Sequence, residues 1–227
     1  MKKLSEIQDW RECINEVVQG DCLEGMKMIP DKSIDLILTD PPYGIDAANY
    51  KRANTKYGNS KAICKDYGLS NWDLRRPNKE IFDEIFRISK NQIIFGGNYF
   101  IDYLFPSSCW LVWDKNNGDN NYADCELAWT SFKSAVRKFK YTWHGMIQEN
   151  MKHKERRQHP TQKPVELMRW IIENYSLQYN VTICDPFMGS WTTARACKDL
   201  GRNFIGFELS EKYCKIGEER LRQQNLF

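Results

Sequence analysis

Two short apolar runs that each end in an Asp-Pro turn restrict the fold of this chain more than any other feature. The run IDLILT at 34–39 leads into Asp-Pro-Pro-Tyr-Gly, and the run VTIC at 181–184 leads into Asp-Pro-Phe-Met-Gly. A short apolar run bounded by turn residues is typical of a buried strand. We therefore expect both runs to be strands of a sheet, each followed by a polar loop.

Helical and strand-like patterns alternate through the rest of the chain. Further strands are predicted over 92–97, 109–113 and 204–207, and helices from Pro77 and over 164–179, 192–200 and 211–223. The segment 126–130 followed by 135–143 indicates an antiparallel or edge region. Strands that alternate with helices predict an α/β fold with a mostly parallel sheet and helices on both faces.

The length of 227 residues suits one globular domain, and no linker divides the chain. No apolar run approaches the roughly 20 residues that span a bilayer, and the N-terminal sequence MKKLSEIQDWRE is too charged for a signal peptide. The eight cysteines include no CxxC pair, and with three histidines no zinc pattern is present. We expect a soluble, cytoplasmic protein with reduced, structural cysteines and no membrane or metal partner.

Basic residues are concentrated in two segments, although the formal net charge is only +3. The segments 51–79 and 133–157 each contain eight basic and two acidic residues, which leaves 17 basic and 26 acidic residues elsewhere. Aromatic residues are interleaved with the charges in both segments. Two solvated basic loops would give the same counts, but cationic and aromatic side chains together favour nucleic acid as a partner.

The loop Asp40-Pro41-Pro42-Tyr43 presents hydrogen-bond acceptors in a stiff arrangement. Neither proline has a backbone N–H, so the loop offers the Asp40 carboxylate and the Pro41 carbonyl. These acceptors suit an exocyclic amine, which has two N–H donors, and Tyr43 can stack on a planar base. Taken alone, the tetrapeptide is equally consistent with an ordinary Pro-rich turn.

The loop that begins at Asp185 follows a strand and opens a helix, where nucleotide-type ligands commonly bind. Glu208 comes nineteen residues after Gly189, at the end of the next predicted strand, a spacing that suits a carboxylate bound to a ribose diol. Neither GxGxxG nor GxxxxGK[ST] is present. The ligand is therefore expected to contain a nucleoside and to need no pyrophosphate clamp.

Together these motifs resemble those of the β-class amino-group DNA methyltransferases, in which a DPPY motif precedes an FxGxG motif. The matching segments run through nearly the whole chain, as GDCLEGM at 20–26, LILTDPPYGI at 36–45, FGGNYF at 95–100, HPTQKP at 159–164, DPFMGS at 185–190 and GFELS at 206–210. The resemblance implies a Rossmann-like, seven-stranded sheet, S-adenosylmethionine as methyl donor, and a base flipped out of double-stranded DNA. Asp at the first DPPY position resembles the N6-adenine members more than the N4-cytosine members.

The resemblance also implies roles for individual residues. Asp40, Pro41, Pro42 and Tyr43 would hold and stack the flipped base. Cofactor contacts are assigned to Asp21 and Cys22 near the adenine, to Glu208 at the ribose, to Asp185, Phe187, Gly189 and Trp191 around the methionine side, and to His159, Thr161, Gln162 and Lys163 along the methionine tail. The clustering of basic charge, rather than the resemblance, assigns DNA contacts to residues of the segments 44–76 and 133–158, namely Lys51, Arg52, Lys138, Lys140, Arg156 and Arg157. A homodimer and a restriction–modification role are further expectations of the resemblance.

The implied reaction is a direct displacement. The adenine amino nitrogen is a weak nucleophile because its lone pair is delocalised into the ring. Hydrogen bonds to Asp40 and to the Pro41 carbonyl would favour a pyramidal nitrogen aimed at the sulfonium methyl group. No cysteine follows a proline, as the nucleophile of cytosine-C5 enzymes does, so that class is disfavoured.

Trp191 departs from the family pattern, in which the last position of DPF-x-G-x-G is usually glycine. Three outcomes are open: the ring turns into the core and activity survives, it narrows or alters the cofactor pocket, or catalysis is lost. An N4-cytosine methyltransferase and a DNA-binding protein with impaired or altered cofactor use are the alternatives to adenine methylation.

Overall fold

The computed structural model describes residues 1–46, 73–118, 123–144, 147–159, 161–176 and 180–223. The strands are β1 (Glu16–Gln19), β2 (Ile34–Thr39), β3 (Ser89–Phe95), β4 (Trp110–Asp114), β5 (Cys125–Thr130), β6 (Arg137–Lys140), β7 (Trp143–His144), β8 (Ile147–Gln148), β9 (Thr182–Asp185) and β10 (Asn203–Glu208). The helices are α1 (Cys22–Lys27), α2 (Lys79–Ile88), α3 (Val165–Tyr175), α4 (Thr192–Asp199) and α5 (Glu211–Arg222).

Eight of these strands form one sheet in the order β1-β10-β9-β2-β3-β5-β4-β6, and β7 pairs with β8 separately. Within the described sheet, β5 runs antiparallel to its neighbours β3 and β4, and the other pairs are parallel. The predicted mostly parallel sheet is confirmed. The expected count of seven strands is wrong by one, because β6 pairs with β4 as an additional edge strand.

Helices cover both faces of the sheet, as predicted. On one face, Phe82 and Ile85 of α2 belong to a buried cluster with Ile94 of β3. On the other face, Ile171 of α3 lies in a second cluster with Ile183 of β9. Strands buried on both faces need apolar side chains in both directions, which explains the continuous apolar runs in the sequence.

The carboxyl ends of the parallel strands meet at one edge of the sheet. Gln19 at the end of β1 pairs with Glu208 at the end of β10. Because β5 runs in the opposite direction, its beginning lies at this edge, and Cys125 pairs with Asp114 at the end of β4. The loops that carry the sequence motifs therefore converge here.

Capping residues set the helix limits. The Asn78 side chain accepts a hydrogen bond from Ile81 N at 3.3 Å, so α2 begins at Lys79 rather than at the predicted Pro77. Gly201 has φ +61° just after α4, as expected of a residue that ends a helix. In the part of the chain that the structure describes, no helix is both long and apolar enough to cross a membrane.

Candidate active site

A cleft of about 1050 Å³ opens at the carboxyl edge of the sheet. The cleft is lined by every residue predicted to bind the base or the cofactor except Trp191. These lining residues are Asp21, Cys22, Asp40, Pro41, Pro42, Tyr43, His159, Thr161, Gln162, Lys163, Asp185, Phe187, Gly189 and Glu208. The fold thus brings motifs that are distant in sequence to one cavity. A cavity of this size can hold a nucleoside-containing ligand beside a second planar group.

In the described part of the chain, two groups donate hydrogen bonds to the Asp40 carboxylate. Its Oδ1 accepts from the Tyr43 hydroxyl at 2.5 Å, and its Oδ2 accepts from Lys163 Nζ at 2.5 Å. Burial raises the pKa of Asp40, and the Lys163 ammonium opposes this effect. Since each carboxylate oxygen has a further lone pair, Asp40 keeps acceptor capacity toward the cleft.

Two neighbours hold the ring of Tyr43 in place. It stacks on Tyr99, with ring centroids 4.7 Å apart and an interplanar angle of 14°. A Cβ atom on Gly96 would come within 2.1 Å of the Tyr43 ring, so this position has no room for a side chain. The FGGNYF segment therefore supports the DPPY loop from the side of β3.

Lys163 lies between two carboxylates. The resemblance placed it along the methionine tail of the cofactor, whereas the structure pairs it with Asp40 and with Glu126, whose Oε2 is 3.0 Å from Nζ. Glu126 Oε1 is in turn 2.6 Å from Lys115 Nζ. Burial opposes ionisation of Glu126, but the two ammonium groups outweigh it and lower the pKa to about 2. Burial likewise opposes the charge on Lys163, yet the two carboxylates raise its pKa, so both residues are ionised at neutral pH.

Asp185 connects the two motif loops. Its Oδ1 accepts from Thr39 Oγ1 at 2.7 Å and from Phe187 N at 3.0 Å, and its Oδ2 accepts from Thr193 Oγ1 at 2.6 Å. Burial raises the pKa of Asp185 to about 6, although these donors oppose the effect. Because Thr39 immediately precedes Asp40, Asp185 fixes the end of β2 against the start of α4.

Glu208 faces the loop that follows β9. Its Oε2 accepts from Gly189 N at 2.7 Å, and its Oε1 accepts from Ser210 N at 2.7 Å. Gly189 has φ +54°, a left-handed conformation that favours glycine. Burial raises the pKa of Glu208 to about 7 against the effect of these N–H donors. A carboxylate fixed in this way can accept hydrogen bonds from a pair of hydroxyl groups.

The HPTQKP motif is held by buried polar contacts. The His159 ring packs against Tyr213 with centroids 4.5 Å apart. Burial lowers the pKa of His159 to about 3, with a further contribution from Lys163, so the imidazole is neutral at pH 7. Gln162 Nε2 donates to Glu155 Oε1 at 2.8 Å. These contacts fix the backbone from which Lys163 enters the cleft.

Asp21 and Cys22 lie on the side of the cleft where Glu208 is found, since Gln19 of β1 pairs with Glu208. Asp21 caps α1, and its Oδ1 accepts from Leu23 N at 2.8 Å. The Cys22 side chain is half-buried at the cleft wall.

The ring of Trp191 does not reach the cleft. The residue is 3% exposed, and a Cβ atom on Gly217 of α5 would come within 2.1 Å of the indole. Its backbone has φ +63° and ψ +34°, a conformation that glycine adopts without strain. The assignment of this ring to the cofactor pocket is therefore corrected, because the ring turns into the core.

The residues assigned to DNA differ in their surroundings. Lys51 and Arg52 lie outside the described residues. Lys138, Lys140 and Arg156 are exposed.

Arg157 is an exception among them. Its guanidinium packs over the Trp143 ring at 4.3 Å, and its Nε and one terminal nitrogen are buried. The structure therefore gives Arg157 a packing contact with Trp143, and its assignment to DNA stays a prediction.

Glu126 and Lys115 face the cleft but were missed from the sequence. Ligand-binding side chains are expected after the carboxyl ends of parallel strands, whereas Glu126 is the second residue of β5. The antiparallel direction of β5 brings it to the same edge. The one available signal was a carboxylate at the start of the otherwise apolar run ELAWT.

Residues 70–219 match the model of a protein family described as DNA methylase, N6_N4_Mtase. Type II methyltransferase M.HinfI of Haemophilus influenzae is 28% identical, over 92% of this chain and 69% of its own length. The putative methylase YubD of Escherichia coli strain K12 is 26% identical, over 92% of this chain and 90% of its own length.

Solved structures are similar over most of the chain. The complex of M1.HpyAVI with SAM (S-adenosylmethionine) has a TM-score of 0.58 and 26% identity, and the match covers 91% of this chain and 98% of that one. The cytosine-N4-specific PvuII DNA methyltransferase has a TM-score of 0.59 at 16% identity, over 93% of this chain and 88% of that one. At that identity, the second likeness shows a shared fold alone.

Proposed function

The chain belongs to the N6/N4 family of DNA methylases, and we propose that it transfers a methyl group from S-adenosylmethionine to the N6 amino group of adenine in double-stranded DNA. One observation carries this proposal: the acceptors of Asp40 and Pro41 line the same cleft as Glu208 and Gly189. The Asp40 and Pro41 acceptors suit an amine, Glu208 suits a ribose, and Gly189 belongs to the loop assigned to the methionine part of the cofactor. The donor and the target base can therefore be held side by side.

The residues of the cleft fit the cofactor of this family. Among the residues that the structure describes, the lining contains six carboxylate side chains, Asp21, Asp40, Asp73, Glu126, Asp185 and Glu208, against two lysines, Lys115 and Lys163. An excess of carboxylates suits a cationic ligand. When bound, S-adenosylmethionine supplies a methyl group on a positively charged sulfur. We assign its ribose to Glu208, its adenine to the side of Asp21 and Cys22, and its methionine part to the loop 185–189 and the HPTQKP motif.

Asp40 and Pro41 prepare the target amine. Hydrogen bonds from N6 to these oxygens draw the nitrogen lone pair out of conjugation with the ring and aim it at the methyl group. The new N–C bond forms as the S–C bond breaks, and the amine then loses a proton. Asp40 is the acceptor within reach of that proton, and burial raises its pKa in the direction that favours acceptance.

Adenine is proposed over cytosine because the DPPY motif begins with Asp40, the residue typical of N6-adenine members. The likeness to a cytosine-N4-specific enzyme concerns the fold and does not bear on the base. We further propose that residues 1–227 act as one methyltransferase domain that contacts DNA through basic segments at about 44–76 and 133–158. Its DNA substrate and its type II relatives favour a cytoplasmic role in restriction–modification.

Base analysis of modified DNA tests the function. The protein is incubated with methyl-labelled S-adenosylmethionine and mixed-sequence duplex DNA, and the DNA is digested to nucleosides for mass spectrometry. N6-methyldeoxyadenosine is the expected product, and Asp40→Ala should reduce its formation by about 100-fold or more. N4-methyldeoxycytidine would instead make cytosine the target, and cofactor binding without either product would favour a non-catalytic DNA-binding protein.

A further inference from the structure

Lys163 occupies one of the two Asp40 oxygens that can accept a hydrogen bond from the target amine. Its Nζ hydrogen-bonds Asp40 Oδ2 at 2.5 Å, and the lysine side chain is only 4% exposed. Lys163 Nζ has a second carboxylate oxygen in contact, because Glu126 Oε2 lies 3.0 Å from it. That oxygen is buried and is held by this ion pair with Lys163. The ammonium therefore lies between two carboxylate oxygens, and the shorter of these two contacts is the one to Asp40.

We propose that Lys163 is a placeholder for the amino group of the target base, and that Glu126 is the positioning residue that receives Lys163 when the base enters. The proposal rests on the proposed function and identifies two further residues of the same site. In the empty cleft, Lys163 donates to Asp40 as the amine would. When the amine arrives, Lys163 transfers its hydrogen bond to Glu126 and frees Asp40 Oδ2.

The exchange needs little movement and leaves no buried charge unpaired. Lys163 Nζ already contacts both carboxylates, so it keeps an anionic partner before and after the exchange. Removing one partner of a buried ion pair without compensation is strongly unfavourable. Lys115, which is 2.6 Å from Glu126 Oε1, holds Glu126 in the position that receives the lysine.

The placeholder also keeps Asp40 in the form that the reaction needs. A protonated Asp40 would present a donor to the amine instead of an acceptor. Burial favours protonation, and the ammonium opposes it. Among the described residues, the other groups that face Asp40 are Tyr43, which is neutral because burial raises its pKa, and the carboxylates of Glu126 and Asp185, which repel a negative charge on Asp40.

The first test follows the ionisation of Asp40 in the free protein by carboxyl carbon NMR and needs no methyl transfer. Lys163→Met should raise the pKa of Asp40, because it removes the counter-charge. Glu126→Gln should lower it, because it removes a repelling carboxylate and leaves Lys163 wholly on Asp40. Lys79→Met and Glu173→Gln, at exposed helical sites, serve as matched controls and should leave the pKa of Asp40 unchanged.

The second test detects the exchange itself. With the cofactor side filled by S-adenosylhomocysteine, adenosine should shift the Lys163 side-chain NMR signals in the wild type and leave them unchanged in Glu126→Gln. In the active enzyme, Glu126→Gln should lower kcat about tenfold or more, with an unchanged KM for S-adenosylmethionine, because Lys163 now competes with the amine. The acid limb of its pH–rate profile should move to lower pH.

Several outcomes would overturn the proposal. They are shifts of the Asp40 pKa in the same direction in both variants, an adenosine response that persists in Glu126→Gln, or wild-type kcat in that variant. If Lys163→Met does not fold, the downward shift in Glu126→Gln still decides the first test. A wild type that transfers no methyl group contradicts the proposed function, whereas both NMR tests still report on Lys163 and Glu126.

Discussion

Trp191 and Gly217 form a complementary pair of single residues. Trp191 has φ +63°, and its indole fills the space above the Cα atom of Gly217 on α5. A non-glycine residue in the left-handed region costs about 1–2 kcal/mol. Truncating a buried aromatic side chain costs about 3–5 kcal/mol, so the packing of the ring outweighs the strain of its backbone.

Trp191→Gly should therefore lower the free energy of unfolding by about 1–4 kcal/mol, because the lost packing exceeds the relieved strain. Its Kd for S-adenosylmethionine should stay within about twofold of the wild-type value, since the ring does not line the cleft. Urea unfolding and calorimetry measure the two quantities. Gly217→Ala is the matched control on the other side of the contact, and its added methyl group should destabilise the protein by about 1–3 kcal/mol. Tighter cofactor binding by Trp191→Gly would show that the ring obstructs the cleft.

Glu208 gives cofactor binding a predictable pH dependence. Burial raises the pKa of Glu208 to about 7 in the free protein, and hydroxyl groups donate more strongly to a carboxylate than to a carboxylic acid. The affinity for S-adenosylmethionine should therefore rise as the pH increases from about 6 to 8. The stability contribution has the opposite sign: between the ordinary value of 4.5 and about 7, the folded state binds more protons than the unfolded state, so stability falls as the pH rises.

Calorimetry between pH 6 and 8 measures the affinity for S-adenosylmethionine, and the Glu208→Gln variant serves as the comparison. The variant should bind about 10–100-fold more weakly at pH 8 and should lose the inflection near pH 7. Asp185, with a pKa raised to about 6, accounts for any inflection that remains at lower pH. An inflection near pH 7 that persists in Glu208→Gln would remove Glu208 from the ribose site.

At the scale of elements, the sequence predicts strands and helices better than it predicts their pairing. The predicted strand 34–39 has the same limits as β2, because a strand buried on both faces has a continuous apolar pattern. β6 has the sequence RKFK, which is typical of an exposed edge strand but does not predict which strand it pairs with. Cleft residues at or just after the carboxyl end of a parallel strand, such as Asp40 and Glu208, could be predicted from the sequence. The position of Glu126 in the cleft could not be predicted, because it depends on the antiparallel direction of β5.

A buried clamp joins α5 to the two loops that border the cleft. Arg220 Nη1 donates to Ser190 O at 2.8 Å and to Thr192 Oγ1 at 3.0 Å, and Nη2 forms an ion pair with Glu155. Glu155 Oε1 also accepts from Gln162 of the HPTQKP motif. Arg220 therefore links the loop after β9 to the segment before α3.

Arg220→Met should lower the free energy of unfolding by about 3–5 kcal/mol, because it leaves the Glu155 carboxylate buried without its partner. Weaker binding of S-adenosylmethionine should accompany this loss, since both loops line the cleft. The double variant with Glu155→Gln should recover part of the stability in urea unfolding. Lys215→Met, which breaks an exposed pair with Glu211 on the same helix, should cost at most about 1 kcal/mol. An effect of Arg220→Met no larger than this control would contradict the clamp.

At the scale of the whole molecule, exposed basic side chains lie at the sheet edge that carries the cleft. Lys140 ends β6 and pairs with Asp114, the residue before the cleft-lining Lys115. Lys138 lies on the same strand with 63% of its side chain exposed. Under the proposed function, the duplex presents its target base to Asp40 from this side of the sheet, so we expect phosphate contacts by both lysines.

Replacement of Lys138 and Lys140 by glutamine should therefore weaken binding to mixed-sequence duplex DNA and make it less sensitive to salt. Each lost phosphate contact lowers the magnitude of the slope of log K against log salt concentration by about 0.9, so the double variant should lose about 1.8. Fluorescence anisotropy at several salt concentrations gives the slope. Lys90→Gln is the matched control: Lys90 pairs with Asp35 as Lys138 pairs with Asp114, but it lies near the start of β3, at the opposite edge of the sheet. Equal slopes for the double variant and for Lys90→Gln would place the DNA elsewhere, whereas a reduced slope in the double variant alone would fix the direction from which the duplex approaches the cleft.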